Sequence, residues 1–350
     1  MTTVSLAGLH DRARQRLDPV HYDYFAGGAG EETALAENER AFGRYALIPR
    51  VLRGQPPRDI AVDLPGARAS MPILVAPTAF HRLAHPDGEL ATARAAAAAG
   101  TVLVSGMAAT VAIGEVADAA REVDPGAAVW FQLYLQPDAK ITECLVRRAE
   151  DAGCSALVVT VDSPVFGRHG RDERNGFHDL PEGLAAENLR DLPGSPGVRD
   201  IEWCPEASWR YVEALRRMTG LPLLLKGILH PEDARIAVDG GISGILVSNH
   251  GGRQLDAAPA AIDALPRVAE AVDGRIPVLV DGGVRRGADV AIALALGATA
   301  VGVGRPVLWG LAADGENGVR QVLDLLRDEF EHVLTLCGGV LAGDQVVSRC

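Results

Sequence analysis

The chain has little that would tie it to an oxidising compartment or a membrane. Its five cysteines, Cys144, Cys154, Cys204, Cys337 and Cys350, form no Cys-X-X-Cys pair and no metal-ligand spacing. They read as reduced thiols, and no metal site is expected. The first residues, Met1 to His10, have no basic segment leading into a long apolar run, which argues against a signal peptide. No stretch of about 18 apolar residues runs without a charge or turn signal, so no membrane span is expected. A basic balance is missing too. Lys and Arg number 34 against 46 Asp and Glu, a net charge of −12, so there is no general attraction for nucleic acid or anionic lipid. An anionic ligand must therefore meet a local cluster of Arg and Lys. The C-terminal Ser-Arg-Cys only loosely resembles the peroxisomal Ser-Lys-Leu address, and the expected location is the cytoplasm.

What the chain does have is apolar mass in a repeating pattern. Hydrophobic residues make up 48% of its 350 residues and charged residues 23%, enough for a large core and too apolar for bulk disorder. Eight short apolar runs recur: Ile73–Pro77, Thr101–Ser105, Ala128–Tyr134, Ala156–Asp162, Leu221–Lys226, Gly244–Asn249, Pro277–Asp281 and Ala300–Gly304. Each is apolar almost throughout rather than alternating, the mark of a strand buried on both faces. Ala-rich helical stretches lie between them, such as 88–100 and 288–297. Strand alternating with helix favours a parallel sheet, and eight units favour closure into an α/β (β/α)₈ TIM barrel. The whole chain, 1–350, reads as one domain: an N-terminal helical extension over 1–70 with helices near 5–16 and 31–41, a barrel over 71–310, and C-terminal helices over 311–350. A long polar insertion after the fourth strand, 163–210, would lie on the face where such barrels place their active sites, and reads as a lid.

The C-terminal strand ends carry polar groups in nearly every case: Thr78 and Ala79, Ser105, Gln132 and Tyr134, Thr160 and Asp162, Lys226, Ser248 to Arg253, Asp281 to Arg285, and Gly302 to Arg305. So many charges converging on one rim have no use in a purely structural barrel. At the seventh and eighth strands glycines stand beside arginines, in Asp281-Gly-Gly-Val-Arg285 and Gly302-Val-Gly-Arg305. Glycine lets backbone N–H groups approach an anion, arginine neutralises it, and these two loops are the usual phosphate site of the fold. A phosphorylated ligand follows.

Ser248-Asn-His-Gly-Gly-Arg-Gln-Leu-Asp256 is joined, in order along the chain, by Tyr22-Asp-Tyr24-Phe, Ala76-Pro-Thr-Ala79, His85-Pro-Asp-Gly-Glu89, Phe131-Gln-Leu-Tyr134, Thr160-Val-Asp162, Lys226-Gly227, Asp281-Gly-Gly-Val-Arg-Arg-Gly287 and Gly304-Arg-Pro306. Together these resemble the FMN-dependent 2-hydroxy acid oxidase and dehydrogenase family, which includes glycolate, lactate and mandelate oxidising enzymes. The resemblance implies FMN as cofactor, a small (S)-2-hydroxy acid as substrate, a 2-oxo acid as product, and a homo-oligomer, commonly a tetramer. It implies that His250 is the base, that Asp162 stabilises its imidazolium, and that Arg253 with Tyr24 binds the substrate carboxylate. Tyr134 would reach the hydroxyl region. Lys226 would stand beside the edge of the flavin that turns negative on reduction. Gln132, Thr160 and Ser248 would hydrogen-bond the ring, with the Thr78–Ala79 backbone on another edge; Gly283, Arg285, Gly304 and Arg305 would hold the phosphate, and Asp281 also belongs to the cofactor site. The His–Asp pairing serves loss of the α-proton and loss of the hydroxyl proton alike.

Ala79 leans towards O₂ as electron acceptor, since poor oxidases of this kind often carry glycine there; a dehydrogenase using another acceptor is the alternative. Two stretches depart from the family pattern. Gly167-Arg168-His169-Gly170-Arg171 has His169 where relatives carry a second arginine near the substrate. A fixed cation thus becomes a titratable group; either Arg171 or a protonated His169 would take its place, or the site accepts a less typical substrate. Ser105-Gly-Met-Ala-Ala109 has Gly106 for a flavin-contacting serine and Ala108 for a bulky aromatic. The smaller Ala108 should widen the pocket for a side chain larger than glycolate's, such as the aryl group of mandelate, with Phe80 placed either to stack on it or to pack. A barrel resembling inosine-monophosphate dehydrogenase would need a nucleophilic cysteine, and no cysteine falls at a strand's C-terminal end. A non-catalytic flavin binder would have no need of His250, Asp162 and Arg253.

Overall fold

The computed structural model describes residues 5–54, 59–194, 196–339 and 341–349. Cys350 lies outside them; Cys144, Cys154, Cys204 and Cys337 are free thiols. Three N-terminal helices come first: α1 (Leu6–Arg16), α2 (Pro19–Ala26) and α3 (Thr33–Phe42). Ser5 caps α1, its hydroxyl accepting from the Gly8 N–H at 3.1 Å. The sequence pattern anticipates α1 and α3 but not α2. That helix is only eight residues long and has no apolar period, although Asp18 caps it and Pro19 opens it in the manner of a helix start.

Short strands β1 (Tyr45–Leu47), β2 (Val62–Leu64) and β3 (Ala67–Ala69) precede the barrel. β2 and β3 form a hairpin that places Leu64 and Ala69 among Leu74, Val104, Trp130, Val158 and Leu224 in the barrel interior. The barrel strands are β4 (Ile73–Val75), β5 (Leu103–Gly106), β6 (Val129–Tyr134), β7 (Ala156–Thr160), β8 (Leu223–Ile228), β9 (Gly244–Val247), β10 (Val278–Asp281) and β11 (Ala300–Val303). They pair in parallel in chain order, and β11 closes onto β4 with Val303 opposite Val75. All eight coincide with the apolar runs read from the sequence. The reason is that each is buried along nearly its whole length, so burial on both faces outweighs any alternation.

The outer helices are α4 (Gly88–Ala98), α5 (Ile113–Val123), α6 (Ala139–Asp151), α7 (Gly170–Asn175), α8 (Trp209–Met218), α9 (Pro231–Asp239), α10 (Ala261–Val272), α11 (Gly287–Ala295) and α12 (Arg305–Leu336). The segment expected to be helical over 311–350 is helical as far as Leu336, within α12, whose backbone leaves helical geometry at Asp314 and Gly315 so that two helical pieces meet at a kink. It is followed by β12 (Val346–Ser348), which the sequence pattern does not anticipate and which pairs antiparallel with β1. The insertion between β7 and α8 carries α7 and two short turns of 3₁₀-helix or bridge at Glu187–Leu189 and Arg190/Val198. Among the described residues no helix is long and apolar enough to cross a membrane, and no cluster of His, Cys, Asp and Glu could hold a metal ion.

Candidate active site

His250 follows β9 in a tight turn, with φ +59°. The turn is fixed from behind. The Asn249 side chain accepts from the Gly252 N–H at 3.1 Å and exchanges amide bonds with Asn38 of α3 at 2.8 and 2.9 Å. His250 Nδ1 lies 2.9 Å from Asp162 Oδ1. Ser163 Oγ donates to the same oxygen at 3.0 Å. The carboxylate keeps the ring proton on Nδ1, so Nε2 is free to accept one. Nε2 lies 3.4 Å from the Tyr134 hydroxyl. Asp162 reaches this place because β8 bulges at Gly227, whose φ is +108° and where a Cβ would come within 2.5 Å of Asp162.

The electrostatics of the pair suit a base. Burial pushes the His250 pKa below the ordinary imidazole value, against the pull of Asp162 and with help from Lys226. Burial alone would raise Asp162, but His250, Lys226 and the Ser163 hydroxyl hold it below the usual carboxylate range. A neutral imidazole beside an ionised carboxylate is the result. Asp162 Oδ2 is buried without a hydrogen-bond partner, which leaves the carboxylate's charge undiluted beside the ring.

Arg253 ends the same turn. Its Nη1 donates to the carbonyls of Tyr24 and Gly27 at 2.8 and 3.0 Å, and its guanidinium sits 5.0 Å from the centre of the Tyr24 ring. Half of the fork thus anchors the end of α2, and α2 in turn brings Tyr24 to the site. Burial raises the Tyr24 phenol to about 12, which Arg253 partly offsets, so the hydroxyl stays a hydrogen-bond donor. Tyr134 is raised likewise, mainly by burial. His169 is buried beside Arg253. Its Nε2 lies 2.9 Å from the Arg253 carbonyl oxygen and its Nδ1 3.1 Å from Asp172 Oδ2. Arg171 does not take the place of the missing arginine. It is held by Glu32 at 2.6 and 2.7 Å and by Asp23 at 3.2 Å.

The strand ends form a second, flatter surface. Gln132 donates to Thr160 Oγ1 at 3.0 Å and accepts from the Met107 N–H at 3.3 Å. Buried Lys226 donates to Ser248 Oγ at 2.9 Å and lies 3.4 Å from Asp281 Oδ2, while Asp281 Oδ1 has no partner. Thr78 Oγ1 is 2.6 Å from His81 Nε2. Side chains are absent at Gly106, Gly302 and Gly304. Cβ atoms there would meet Gln132 and Thr78 at 3.4 Å, Asp281 and Ala76 at 3.2 and 3.3 Å, and Thr78 at 3.2 Å. The slot so kept open suits a planar ring, with a cation and amide groups along its edges. At its far side Gly283, with φ +88°, turns the chain between Asp281 and Arg285. Arg285 reaches Glu39 at 2.7 Å. Arg305 donates to the carbonyls of Phe25, Gly251 and Gly27 at 2.9, 2.9 and 2.7 Å. Burial, with Arg253 and Arg285 nearby, lowers its pKa to about 9, so it remains a cation. These residues fit a flavin mononucleotide, ring in the slot and phosphate towards the arginines.

Both surfaces line one cavity of about 1030 Å³, at the upper end of the usual range for small-molecule sites, ~300–1,000 Å³. Part of its lining comes from the insertion that the sequence leads one to expect as a lid. Trp203 packs edge-on to Tyr134 at 4.9 Å and lies 5.6 Å from Phe166. Phe177 lies 5.2 Å from Tyr24, and Phe80 5.8 Å from the same ring. Ala108 lines the same space. Aromatic residues in an otherwise polar insertion were the available signal for Phe166, Phe177 and Trp203. Ser163 and Asp172 left none, because their contacts are set by the fold alone.

A family model described as FMN-dependent dehydrogenase matches residues 13–342. The chain is 49% identical to 4-hydroxymandelate oxidase of Amycolatopsis orientalis, over 97% of this chain and 95% of that one. It is 47% identical to glycolate oxidase 3 of Arabidopsis thaliana, over 93% and 90%. Among solved structures it is similar to mandelate oxidase bound to 3,3-difluoro-2-hydroxy-3-phenylpropionic acid. The TM-score is 0.90 and the identity 47%, with 99% of each chain covered.

Proposed function

The chain belongs to the FMN-dependent dehydrogenase family, and from that premise we propose that it oxidises a 2-hydroxy acid with a bulky, aryl side chain, mandelate-like, using O₂ as acceptor. FMN-dependent oxidation of a 2-hydroxy acid is the activity of this chain. Bound FMN supplies the two-electron acceptor, and Thr78, Gln132, Thr160, Lys226, Ser248, Gly283, Arg285 and Arg305 are the residues that would hold it.

The chain's own residues do the rest. Arg253 offers a guanidinium to the substrate carboxylate, and Tyr24 adds a neutral donor. This fixes the carbinol carbon relative to His250. Nε2 of His250 accepts a proton from the substrate as two electrons leave it, and Asp162 stabilises the imidazolium so formed. The insertion adds Phe166, Phe177 and Trp203 to the wall of the same cavity. The 2-oxo acid leaves, and the two electrons and two protons pass to O₂, giving hydrogen peroxide. Ala79 beside the slot supports O₂ as acceptor.

The preference for a bulky side chain rests on Ala108, a small residue in a cavity wall otherwise faced by Phe80, Phe166, Phe177 and Trp203. The relatives that act on mandelate and 4-hydroxymandelate support it. Peroxide production from glycolate, lactate and (S)-mandelate tests the reading. The highest kcat/KM is expected for mandelate, and glycolate far ahead of mandelate would overturn it.

A further inference from the structure

Tyr24 reaches the site on α2, a helix of eight residues of which only Phe25 is fully buried. So short a helix is marginal by itself, and its place is set from outside. Two holds come from the barrel: Arg253 and Arg305 donate to the carbonyls of Tyr24, Phe25 and Gly27. The third comes from the insertion. Arg171 of α7 donates through Nε and Nη2 to the two carboxylate oxygens of Glu32 at 2.7 and 2.6 Å, and through Nη1 to Asp23 Oδ1 at 3.2 Å. Asn175, one turn along α7, donates to the other oxygen of Asp23 at 2.9 Å. Asp23 immediately precedes Tyr24. Glu32 also accepts from the Gly28 N–H, just past the end of α2, at 3.1 Å. Arg171 thus has one partner inside α2 and one beyond its C-terminal end, and its stem passes Gly27, where a Cβ would lie 3.4 Å from Arg171 Cδ.

The Arg171–Glu32 pair is ionic and partly sheltered, its side chains 27% and 24% exposed. Burial alone would raise the Glu32 carboxyl, but Arg171 and the Gly28 N–H hold it below the usual carboxylate range. A guanidinium fork on a carboxylate fixes direction as well as distance. Arg171 itself lies outside the cavity that its neighbours His169 and Asp172 line.

We infer that Arg171 is a positioning residue: by tying the insertion to α2 it holds the Tyr24 hydroxyl in place for a substrate carboxylate. Arg253 does not need this tie, because its turn is fixed by Asn249 and Asn38. Tyr24 does, because its ring meets Phe80 and Phe177 at 5.8 and 5.2 Å through apolar packing, which is not directional. The inference rests on the reading of Tyr24 as a ligand of the carboxylate.

The test is a double-mutant cycle on FMN-loaded protein, read as the Kd of benzoylformate and of oxalate from perturbation of the flavin absorbance. Tyr24→Phe removes a donor to a charged group and should raise Kd about tenfold or more. Arg171→Gln should raise it about three- to tenfold, a part of the same contact. The KM for mandelate should follow while kcat changes by less than about twofold, since a carboxylate contact is kept from ground state to transition state. In the Tyr24→Phe chain, Arg171→Gln should cost less than about twofold, a coupling that a tie serving stability alone would not show. A Kd unchanged by Arg171→Gln, or raised equally with and without the Tyr24 hydroxyl, would overturn the inference. Should Arg171→Gln not hold FMN, Glu32→Gln takes its place in the cycle with the same two outcomes. If Tyr24→Phe leaves both Kd values unchanged, Tyr24 is no carboxylate ligand, and that reading fails together with the inference. Binding of oxalate without benzoylformate would count against the aryl substrate only, and the cycle is then decided on oxalate.

Discussion

His250 and His169 line the same cavity, and their hydrogen bonding differs. His250 gives one nitrogen to Asp162 and leaves the other free of any acceptor stronger than the Tyr134 hydroxyl at 3.4 Å. His169 has both nitrogens engaged, on the Arg253 carbonyl and on Asp172. A residue type alone therefore does not tell which imidazole moves a proton. The free nitrogen does. His250 is wired to accept a proton from a substrate, while both ring nitrogens of His169 are already engaged by protein groups.

The comparison breaks most directly at His250. His250→Gln should lower kcat/KM by about 10³–10⁴-fold, the upper part of the range for a positioned general base, with FMN still bound. Activity within tenfold of wild type would place the base elsewhere. Asp162→Asn removes the group that fixes the tautomer and stabilises the imidazolium, and should cost about 10²–10³-fold. A loss as small as that for an exposed carboxylate would mean that the 2.9 Å contact only packs the ring.

A third variant sharpens the comparison at the cavity wall. Ala108→Trp should lower kcat/KM for mandelate relative to glycolate by about 10–100-fold, as expected when a hydrophobic pocket is filled. An unchanged ratio would remove Ala108 from the determinants of substrate size. The smallest effect is on pH. A base works unprotonated, and burial lowers the His250 pKa, so activity should persist as pH falls through the ordinary imidazole value of about 6.5 and be lost only at lower pH. The acid limb of kcat/KM reports this directly, and a midpoint above that value would contradict the burial argument.

How much of this was legible in the sequence differs by region. The eight strands are plain because each is a short apolar run buried on both faces, and the rim follows, because a strand such as Phe131-Gln-Leu-Tyr134 ends in polar residues only where something polar is bound. Helix α2 was missed for want of a period, and so was its tie to the site, since Arg253 and Arg305 hold it through backbone carbonyls that carry no residue signature. His169 was legible as a departure but not in its wiring. That depends on Asp172, one helical turn on, and on a main-chain oxygen more than eighty residues away. Arg171 is equally apt by sequence, but Glu32 and Asp23, which hold it, lie some 140 residues away in the N-terminal helical region.

The central claim is that this chain oxidises a 2-hydroxy acid at FMN through His250. The most direct measurement is anaerobic mixing of FMN-loaded protein with (S)-mandelate, followed by the flavin absorbance, for wild type and His250→Gln side by side. The account predicts rapid bleaching in the wild type and a flavin that stays oxidised over the same period in the variant. A variant that bleaches as fast as the wild type, or a wild type that stays yellow with mandelate, lactate and glycolate alike, would contradict it.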